Sequence, residues 1–324
     1  MTTDQNVLEE SLDQEIHQPL SLARSAFSIG MTLLAFILTA AALLPLFAIL
    51  FEILHQGFPQ LIKLQEVRLL GVPVSLPEVI VSLPAPEGLQ DRANGFANAI
   101  IGTLMMVGIA CLFSVPFGVM TGIFLSEFAK GSTTERSAFS SRSIANYIRF
   151  IIVILSSVPS IVVGVFAYSV IVLTTKGASA IAGGFALSVI MLPIVALSTE
   201  EALKLVPNSH RLASAALGGG RFQTTLRIVL ASALPGITTG VLLAVARAAD
   251  ETAPLIFTAR STQFWPQGLF SPTPSLSVLI YNYASSPYKE QNQLAWTASI
   301  VLIGLVLLSS ILSRQVTRKR LKIR

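Results

Sequence analysis

The sequence predicts an all-α integral membrane protein with six transmembrane helices. Only 12% of the 324 residues are charged and 52% are hydrophobic, whereas charged residues make up about a quarter of a typical soluble domain. The apolar residues are also clustered, because six windows of at least 19 residues contain no Asp, Glu, Lys or Arg. A helix of about 20 apolar residues crosses a hydrocarbon core of about 30 Å. This composition excludes a soluble enzyme, a nucleic-acid-binding protein and a fibrous protein.

Each charge-free window predicts one membrane span. In chain order the windows are 25–51, 93–126, 150–175, 177–199, 228–246 and 291–313. The first window follows an acidic segment and lacks the basic start and short apolar core of a cleaved signal peptide, so we expect it to remain as a true span. The sequence therefore predicts a membrane domain over 25–313, between a disordered acidic tail, 1–24, and a basic tail, 314–324.

The distribution of Lys and Arg predicts the orientation of the spans. Fifteen of the 22 Lys and Arg residues fall on the side that carries both termini, and six fall on the opposite side. The positive-inside rule then places both termini in the cytoplasm, with the spans in the cytoplasmic (inner) membrane. This orientation makes 55–92, which is rich in proline and has a β-type run at 72–76, an external surface loop. It makes 200–227 a cytoplasmic loop.

Several absences limit the chemistry that we expect. The single cysteine, Cys111, allows no internal disulfide, and the three histidines fall in separate polar segments, so we predict no bound metal or other cofactor. The P-loop pattern GxxxxGK followed by Ser or Thr is absent from the sequence. We therefore expect a transport subunit, not an enzyme, with any ATP hydrolysis on a separate polypeptide.

The cytoplasmic loop 200–227 has the pattern of a helix, a glycine turn and a second helix. Pro207 and Asn208 can begin a helix, the triple glycine 218–220 can end it, and Arg221 precedes a second helix that leads into span five. Such a unit can dock a cytoplasmic partner. An amphipathic loop lying on the bilayer accounts for the same pattern, so periodicity alone leaves both interpretations open.

This loop resembles the coupling loop of ABC importer permeases, whose motif reads Glu-Ala-Ala, three residues, Gly, nine residues, Ile-x-Leu-Pro. With Gly218 as the motif glycine, Ile228 and Leu230 fall at the expected positions, whereas Leu212-Ala213-Ser214 replaces Glu-Ala-Ala. Ala231 replaces the proline. The resemblance implies that the ATPase is contacted by Leu212, Ala213, Ser214, Gly218, Gly219 and Arg221.

Further segments resemble phosphate ABC transporter permeases of the PstA type, in the same order over roughly 95–313. They are Ser157-Val-Pro-Ser-Ile-Val-Val-Gly164, Glu201-Ala-Leu-Lys-Leu-Val-Pro207, Gly236-Ile-Thr-Thr-Gly-Val-Leu-Leu-Ala244, Ala246-Arg247, Glu251-Thr-Ala-Pro254, Gln263-Phe-Trp265, Ser286-Pro287 and Gln293-Leu-Ala-Trp296. The resemblance implies a type I ABC importer permease that lets phosphate cross unmodified. It also implies a heterodimer with a sister permease, a cytoplasmic ABC ATPase dimer and an extracytoplasmic phosphate-binding protein.

A small group of charges in span five is the predicted substrate path. Between Arg227 and Arg260 the only charges are Arg247, Asp250 and Glu251, and the two carboxylates follow the arginine at i+3 and i+4 on one helical face. If the span enters the membrane near Pro235, Arg247 lies about 18 Å along it. A guanidinium matches the oxygens of phosphate, although a self-neutralised ion pair that only tolerates burial accounts for the same residues. The resemblance adds Thr252, and the family usually has Gly where this chain has Asp250.

Two other interpretations use the same residues. A permease for another oxyanion, such as sulfate, molybdate or phosphonate, would need a similar arginine. A membrane-embedded enzyme acting on a lipid phosphate would use Arg247 for the headgroup, with Asp250 or Glu251 as its nucleophile or base, and would leave the glycine-turn loop unexplained.

Two GxxxG pairs, Gly118 with Gly122 and Gly236 with Gly240, predict close helix packing. Small residues spaced four apart lie on one face of a helix, where they let a second backbone approach. We therefore expect spans two and five to pack tightly against neighbours.

Overall fold

The computed structural model describes residues 22–69, 72–85, 94–129 and 135–321. In chain order the helices are α1 (Leu22–Leu61), α2 (Glu78–Val81), α3 (Ala97–Phe128), α4 (Glu135–Ser157), α5 (Ser160–Thr175), α6 (Ala180–Lys204), α7 (Asn208–Ala216), α8 (Arg221–Asp250), α9 (Ala253–Thr258), α10 (Leu276–Ala284) and α11 (Lys289–Leu321). Two strands, β1 (Leu64–Leu69) and β2 (Val72–Pro77), separate α1 from α2. The described part of the chain is therefore mainly helical, with one β-hairpin and non-helical connections such as 259–275.

Five helices of the described chain are long and apolar enough to cross a membrane, and a bent pair supplies a sixth span. The pair is α4 and α5, whose axes differ by 101°. The expectation of one helix through window 150–175 is therefore wrong. Pro159 lacks a backbone N–H and disfavours helical geometry at the preceding Val158, so the helix ends at Ser157 and restarts at Ser160.

Helix α1 is longer than its predicted window of 25–51, since it continues to Leu61. The chain divides into two compact units after Glu52, and the first unit contains the amino-terminal part of α1. Within that unit Phe27, Phe36 and Phe47 are each more than 60% exposed. Exposed aromatic side chains of this kind suit contact with lipid. The predicted disordered tail lies outside the described residues, except for 22–24, which are helical.

The segment predicted as an external surface loop, 55–92, is mostly ordered structure where it is described. Residues 55–61 belong to α1, and the β-type run at 72–76 lies in β2, which pairs antiparallel with β1 from Leu64 opposite Pro77. Glu78 Oε1 accepts a hydrogen bond of 3.0 Å from the backbone N–H of Asn94. The buried side chains of Val79 and Phe96 belong to one hydrophobic cluster with Ala99 of α3. The segment therefore packs against the beginning of α3.

Helix α6 is the most buried span, and α3 packs against one of its faces through the first GxxxG pair. A Cβ added at Gly118 would lie 2.8 Å from the Cβ of Val195. A Cβ added at Gly122 would lie 2.6 Å from the Cβ of Thr199. These distances are too short for any real side chain, which confirms the prediction of close packing for span two.

Helix α8 packs on another face of α6 through the second pair. A Cβ added at Gly236 would lie 2.9 Å from the Cβ of Ala202, and one at Gly240 would collide with Ser198. The prediction for span five is therefore confirmed as well. Helix α6 is held between two glycine-lined helices, and both candidate sites lie at the ends of this three-helix unit.

Candidate functional site

The first candidate site is the carboxyl-terminal end of α8, where the predicted substrate-path residues lie. This helix begins at Arg221, with a π-helical turn at Thr225–Val229, and continues to Asp250. Helix α8 therefore begins 14 residues before Pro235, and Arg247 lies in the last turn of the helix. The charge-free stretch between Arg227 and Arg247 covers 19 residues, or about 28 Å of helix, which is close to the hydrocarbon thickness.

Arg247 and Glu251 are brought together, but only loosely. Arg247 Nε lies 3.8 Å from Glu251 Oε1, and the arginine side chain is 63% exposed while the glutamate is 13% exposed. Asp250 forms no ion pair with any residue that the structure describes, although it is in the turn that contains Arg247. Thr252 is placed beside the same turn, with its hydroxyl 3.5 Å from the carbonyl oxygen of Asp250.

The chain leaves the helix at Glu251 because its backbone is extended, with ψ of 121°. Ser277, at the beginning of α10, donates a hydrogen bond of 3.0 Å from its Oγ to the carbonyl oxygen of Glu251. Pro254 lies in the first turn of α9, and it packs so closely on Gly164 of α5 that a Cβ added at Gly164 would lie 2.6 Å from the proline Cα. The two carboxylates are therefore mounted on a fixed helix end.

This geometry leaves the guanidinium able to bind a second anion. A guanidinium carries five N–H donors in a planar fork, and a single contact of 3.8 Å from Nε leaves the two Nη groups free of Glu251. A tightly self-neutralised pair would be buried and held by two short hydrogen bonds. In the observed pair the arginine is exposed and makes one long contact with Glu251. The guanidinium can therefore exchange Glu251 for an incoming oxyanion.

The second candidate site is the predicted helix–glycine turn–helix, which we call the glycine-turn hairpin (residues 208–224). Helix α7 begins after Pro207 and ends at Ala216, and α8 begins at Arg221, as predicted. Gly218 makes the turn with φ of +81°, a left-handed conformation that glycine adopts without steric cost. The fold of this segment is confirmed, whereas its role as an ATPase contact stays a prediction.

The two arms of the hairpin are joined across the turn by buried polar contacts. Ser214 Oγ and Thr224 Oγ1 are 2.8 Å apart and share a hydrogen bond. Gly219 is needed at this point because an added Cβ would lie 2.5 Å from Ser214 Oγ. Ser214 and Gly219 therefore have a structural role within the hairpin. Its exposed residues are the ones that could contact a partner directly.

The outward surface of the hairpin is apolar. Leu212 and Leu217 are 70% and 90% exposed, and Ala213 is exposed between them. Leu212 occupies the motif's glutamate position. The predicted contact residues therefore divide into two groups: Leu212, Ala213 and Gly218 face outward, and Ser214, Gly219 and Arg221 make contacts within the protein.

Glu127 is not among the residues predicted from the sequence; it lies at the end of α3, and its side chain is only 9% exposed. Its Oε1 accepts a hydrogen bond of 2.6 Å from Arg211 Nη2 of α7. Arg221, at the start of α8, donates to the backbone carbonyl oxygen of Glu127 and lies over the ring of Phe128, 5.3 Å from its centroid. A carboxylate directly after a long apolar window was the available signal, but its partners lie more than 80 residues away along the chain.

A second missed carboxylate, Glu200, lies at the same end of the helices. Its side chain is 2% exposed, and Oε1 is 2.5 Å from Arg149 Nη2 and 2.6 Å from Lys204 Nζ. The pair with Arg149 fixes α4 to α6, and the pair with Lys204 lies within α6. Glu200 therefore stabilises the junction from which the hairpin projects, without touching the hairpin itself.

The fold and these two sites define a multi-pass membrane protein with a charged site at one helix end and a projecting glycine-turn hairpin at the other end of the same helix. The family model described as "Binding-protein-dependent transport system inner membrane component" matches residues 118–322. The chain belongs to this family of membrane transport subunits.

Curated relatives cover most of the chain. It is 38% identical over 266 residues to the phosphate transport system permease protein PstA of Haemophilus influenzae, covering 82% of this chain and 85% of the relative. It is 42% identical over 227 residues to PstA of Yersinia pestis, covering 70% and 74%. A probable PstA of Methanocaldococcus jannaschii is 31% identical over 267 residues, covering 82% and 85%.

Solved structures share the fold at low sequence identity. An inward-facing structure of the MetNI methionine ABC transporter matches with a TM-score of 0.58 at 20% identity, covering 69% of this chain and 94% of that chain. A bacterial ABC transporter involved in alginate import matches with a TM-score of 0.56 at 14% identity, covering 91% and 97%. The architecture is that of an ABC importer permease.

Proposed function

We propose that this chain is the membrane permease subunit of an ATP-driven importer that moves inorganic phosphate into the cell. The observation that carries the proposal is the 38% identity to a PstA permease over 82% of this chain. The open guanidinium of Arg247 supports it independently, because a planar fork of donors suits the oxygens of phosphate.

In this proposal Arg247, Asp250, Glu251 and Thr252 line the path of the anion. Glu251 holds the arginine while the path is empty. When phosphate arrives, it takes the two Nη groups, and the Glu251 carboxylate accepts a hydrogen bond from a protonated phosphate oxygen. No bond is made or broken in phosphate.

The remaining parts of the importer are proposed as separate chains. They are a sister permease that forms a heterodimer with this one, a cytoplasmic ABC ATPase dimer and an extracytoplasmic phosphate-binding protein. The ATPase binds the outward surface of the glycine-turn hairpin, and both termini of this chain lie in the cytoplasm. Closure of the ATPase dimer then switches access to the path between the two sides of the membrane.

Uptake of radiolabelled phosphate tests this function in cells that lack other phosphate uptake systems. The chain, expressed with its sister permease, ATPase and binding protein, should give uptake that stops when ATP is depleted. Mild-detergent purification of the chain should bring down the ATPase. Stronger inhibition by unlabelled sulfate, molybdate or phosphonate than by unlabelled phosphate would indicate a permease for that oxyanion. Turnover of a lipid phosphate without a bound ATPase would indicate the enzyme.

A further inference from the structure

The first arm of the glycine-turn hairpin has no apolar anchor. Ser214 is the one buried residue of α7. The second arm differs, because its continuation packs Val229, Ala233 and Ile237 against α6. Apolar burial therefore holds α8 in place but leaves α7 to polar contacts.

Arg211 supplies most of those contacts. Its Nη1 donates to the carbonyl oxygen of Val206 at 2.6 Å, and its Nη2 donates to that of Leu203 at 3.1 Å. These two bonds hold α7 to the end of α6, the helix from which it projects. Arg211 also bonds Asn208 within α7, and its ion pair with Glu127 joins α7 to a different span.

Glu127 contacts both arms of the hairpin at once. Its side chain accepts two hydrogen bonds from Arg211, of 2.6 Å to Oε1 and 3.3 Å to Oε2, and its backbone carbonyl accepts from Arg221. A cavity of about 650 Å³ lies between the hairpin and the helix ends, lined by Glu127, Lys204, Arg211, Gly219, Arg221 and Thr224. The hairpin is therefore attached to α3 by a few charged contacts across an open space.

The two helices that meet at Glu127 are both irregular there. The last turn of α3, Phe124–Phe128, is π-helical, and so is the second turn of α8, Thr225–Val229. Turns of this kind are rare and occur frequently at functional sites. Both turns lie where the spans end and the hairpin begins, which is where a displacement of the hairpin would reach the membrane.

We propose that Glu127 is a positioning residue whose carboxylate ties the first arm of the glycine-turn hairpin to α3 through Arg211, so that a movement of the hairpin is transferred to that span. The proposal rests on the proposed function, in which the ATPase moves the hairpin. The ion pair with Glu127 joins α7 directly to α3, whereas the hydrogen bonds from Arg211 to Leu203 and Val206 hold α7 only to the end of α6.

The test uses the whole importer, reconstituted in liposomes, and measures phosphate transported per ATP hydrolysed. Glu127→Gln removes the charge while keeping the shape, and it should lower this ratio about tenfold while the ATPase stays bound. Glu127→Asp, which keeps a carboxylate, should recover part of the ratio. Glu201→Gln is the matched control, since Glu201 is an exposed carboxylate near the hairpin, and it should leave the ratio unchanged. A ratio for Glu127→Gln within twofold of wild type would overturn the proposal.

Two further measurements cover the other outcomes. If Glu127→Gln does not accumulate, the double variant Glu127→Gln/Arg211→Met leaves no stranded charge, and normal coupling in that variant would overturn the proposal.

A spin label on a cysteine at Leu217 reports the motion of the hairpin without any phosphate. It should become more mobile in Glu127→Gln but not in Glu201→Gln, and unchanged mobility would overturn the tether. Absence of ATP-driven phosphate uptake by the wild-type importer would instead contradict the proposed function.

Discussion

Arg247 is the residue on which the two interpretations of the charged helix end differ most. An arginine that only neutralises Glu251 is dispensable once the carboxylates are neutral too, because no charge is then stranded. An arginine that binds phosphate stays essential whatever surrounds it. The exposed guanidinium and the single 3.8 Å contact favour the second interpretation.

The triple variant Arg247→Gln/Asp250→Asn/Glu251→Gln separates these interpretations. We expect it to reach the membrane in normal amounts and to lose at least 90% of phosphate uptake. Radiolabelled phosphate uptake measures transport, and an immunoblot of the membrane fraction measures abundance. Uptake near the wild-type level would remove Arg247 from the substrate path.

Arg247→Lys provides the control for charge. Lysine keeps the positive charge and the ion pair with Glu251 but presents a point charge in place of a planar fork. We expect its uptake to fall well below that of wild type, and normal uptake would show that charge alone is sufficient.

At the scale of the element, the glycine turn is the most constrained part of the hairpin. Gly218 has φ of +81° and no heavy atom within 4 Å of an added Cβ, so the chain itself leaves room for a side chain. A residue other than glycine in this conformation costs about 1–2 kcal/mol. The protein can still fold at this cost. A loss of transport larger than this cost explains must come from contact with a partner.

Gly218→Asp should therefore leave the protein in the membrane with its ATPase bound but uncouple ATP hydrolysis from phosphate uptake. Gly220→Asp is the matched control, because Gly220 has φ of −67° and equally open surroundings. We expect Gly220→Asp to keep at least half of the wild-type uptake. Normal uptake by Gly218→Asp, with normal ATPase association, would contradict the assignment of the hairpin as the coupling element.

The packing of α3 on α6 gives a prediction about stability. Alanine at Gly122 would place its Cβ 2.6 Å from the Cβ of Thr199, and forced overpacking of this kind costs about 1–3 kcal/mol. Gly122→Ala should lower the melting temperature of the purified protein. Gly108→Ala, on the same helix with nothing within 4 Å of its added Cβ, should leave it unchanged or raise it. Equal melting temperatures for the two variants would show that this contact does not limit stability.

At the scale of the whole molecule, the ends of α3 define the two faces of the membrane. This helix has 32 residues, so it is about 48 Å long and exceeds a hydrocarbon core of about 30 Å. Ser82 lies at its beginning, where the Ser82 carbonyl oxygen accepts a hydrogen bond of 3.1 Å from the N–H of Ala97. Ser140 follows its end, in α4. These two residues therefore belong on opposite faces.

Cysteine labelling tests both this separation and the orientation predicted from Lys and Arg. In a chain with Cys111 replaced by alanine, cysteine at Ser82 should react with an impermeant maleimide from outside intact cells. Cysteine at Ser140 should react only after permeabilisation. The reverse pattern would overturn the cytoplasmic placement of both termini, and labelling of both from outside would contradict the span count.

The sequence by itself determined the membrane class, the number of spans and the helix–turn–helix between α6 and α8. These features depend on local composition, because a bilayer demands about 20 apolar residues per span wherever they occur. Pro207 and the triple glycine fixed the limits of α7 for the same local reason. The two GxxxG pairs also predicted packing correctly, since the spacing alone places both glycines on one face.

Only the tertiary structure decided how the charges are arranged. The break between α4 and α5 follows from one proline inside an apolar window, and a proline does not itself reveal whether a span kinks or breaks, since Pro116 lies inside a continuous α3. The position of Arg247 depended on where α8 begins, which is set by the hairpin and not by Pro235. The ion pairs of Glu127 and Glu200 join residues 84 and 51 positions apart, or residues at adjacent turns of one helix. Charge pattern identifies such residues as candidates, but packing in three dimensions selects their partners.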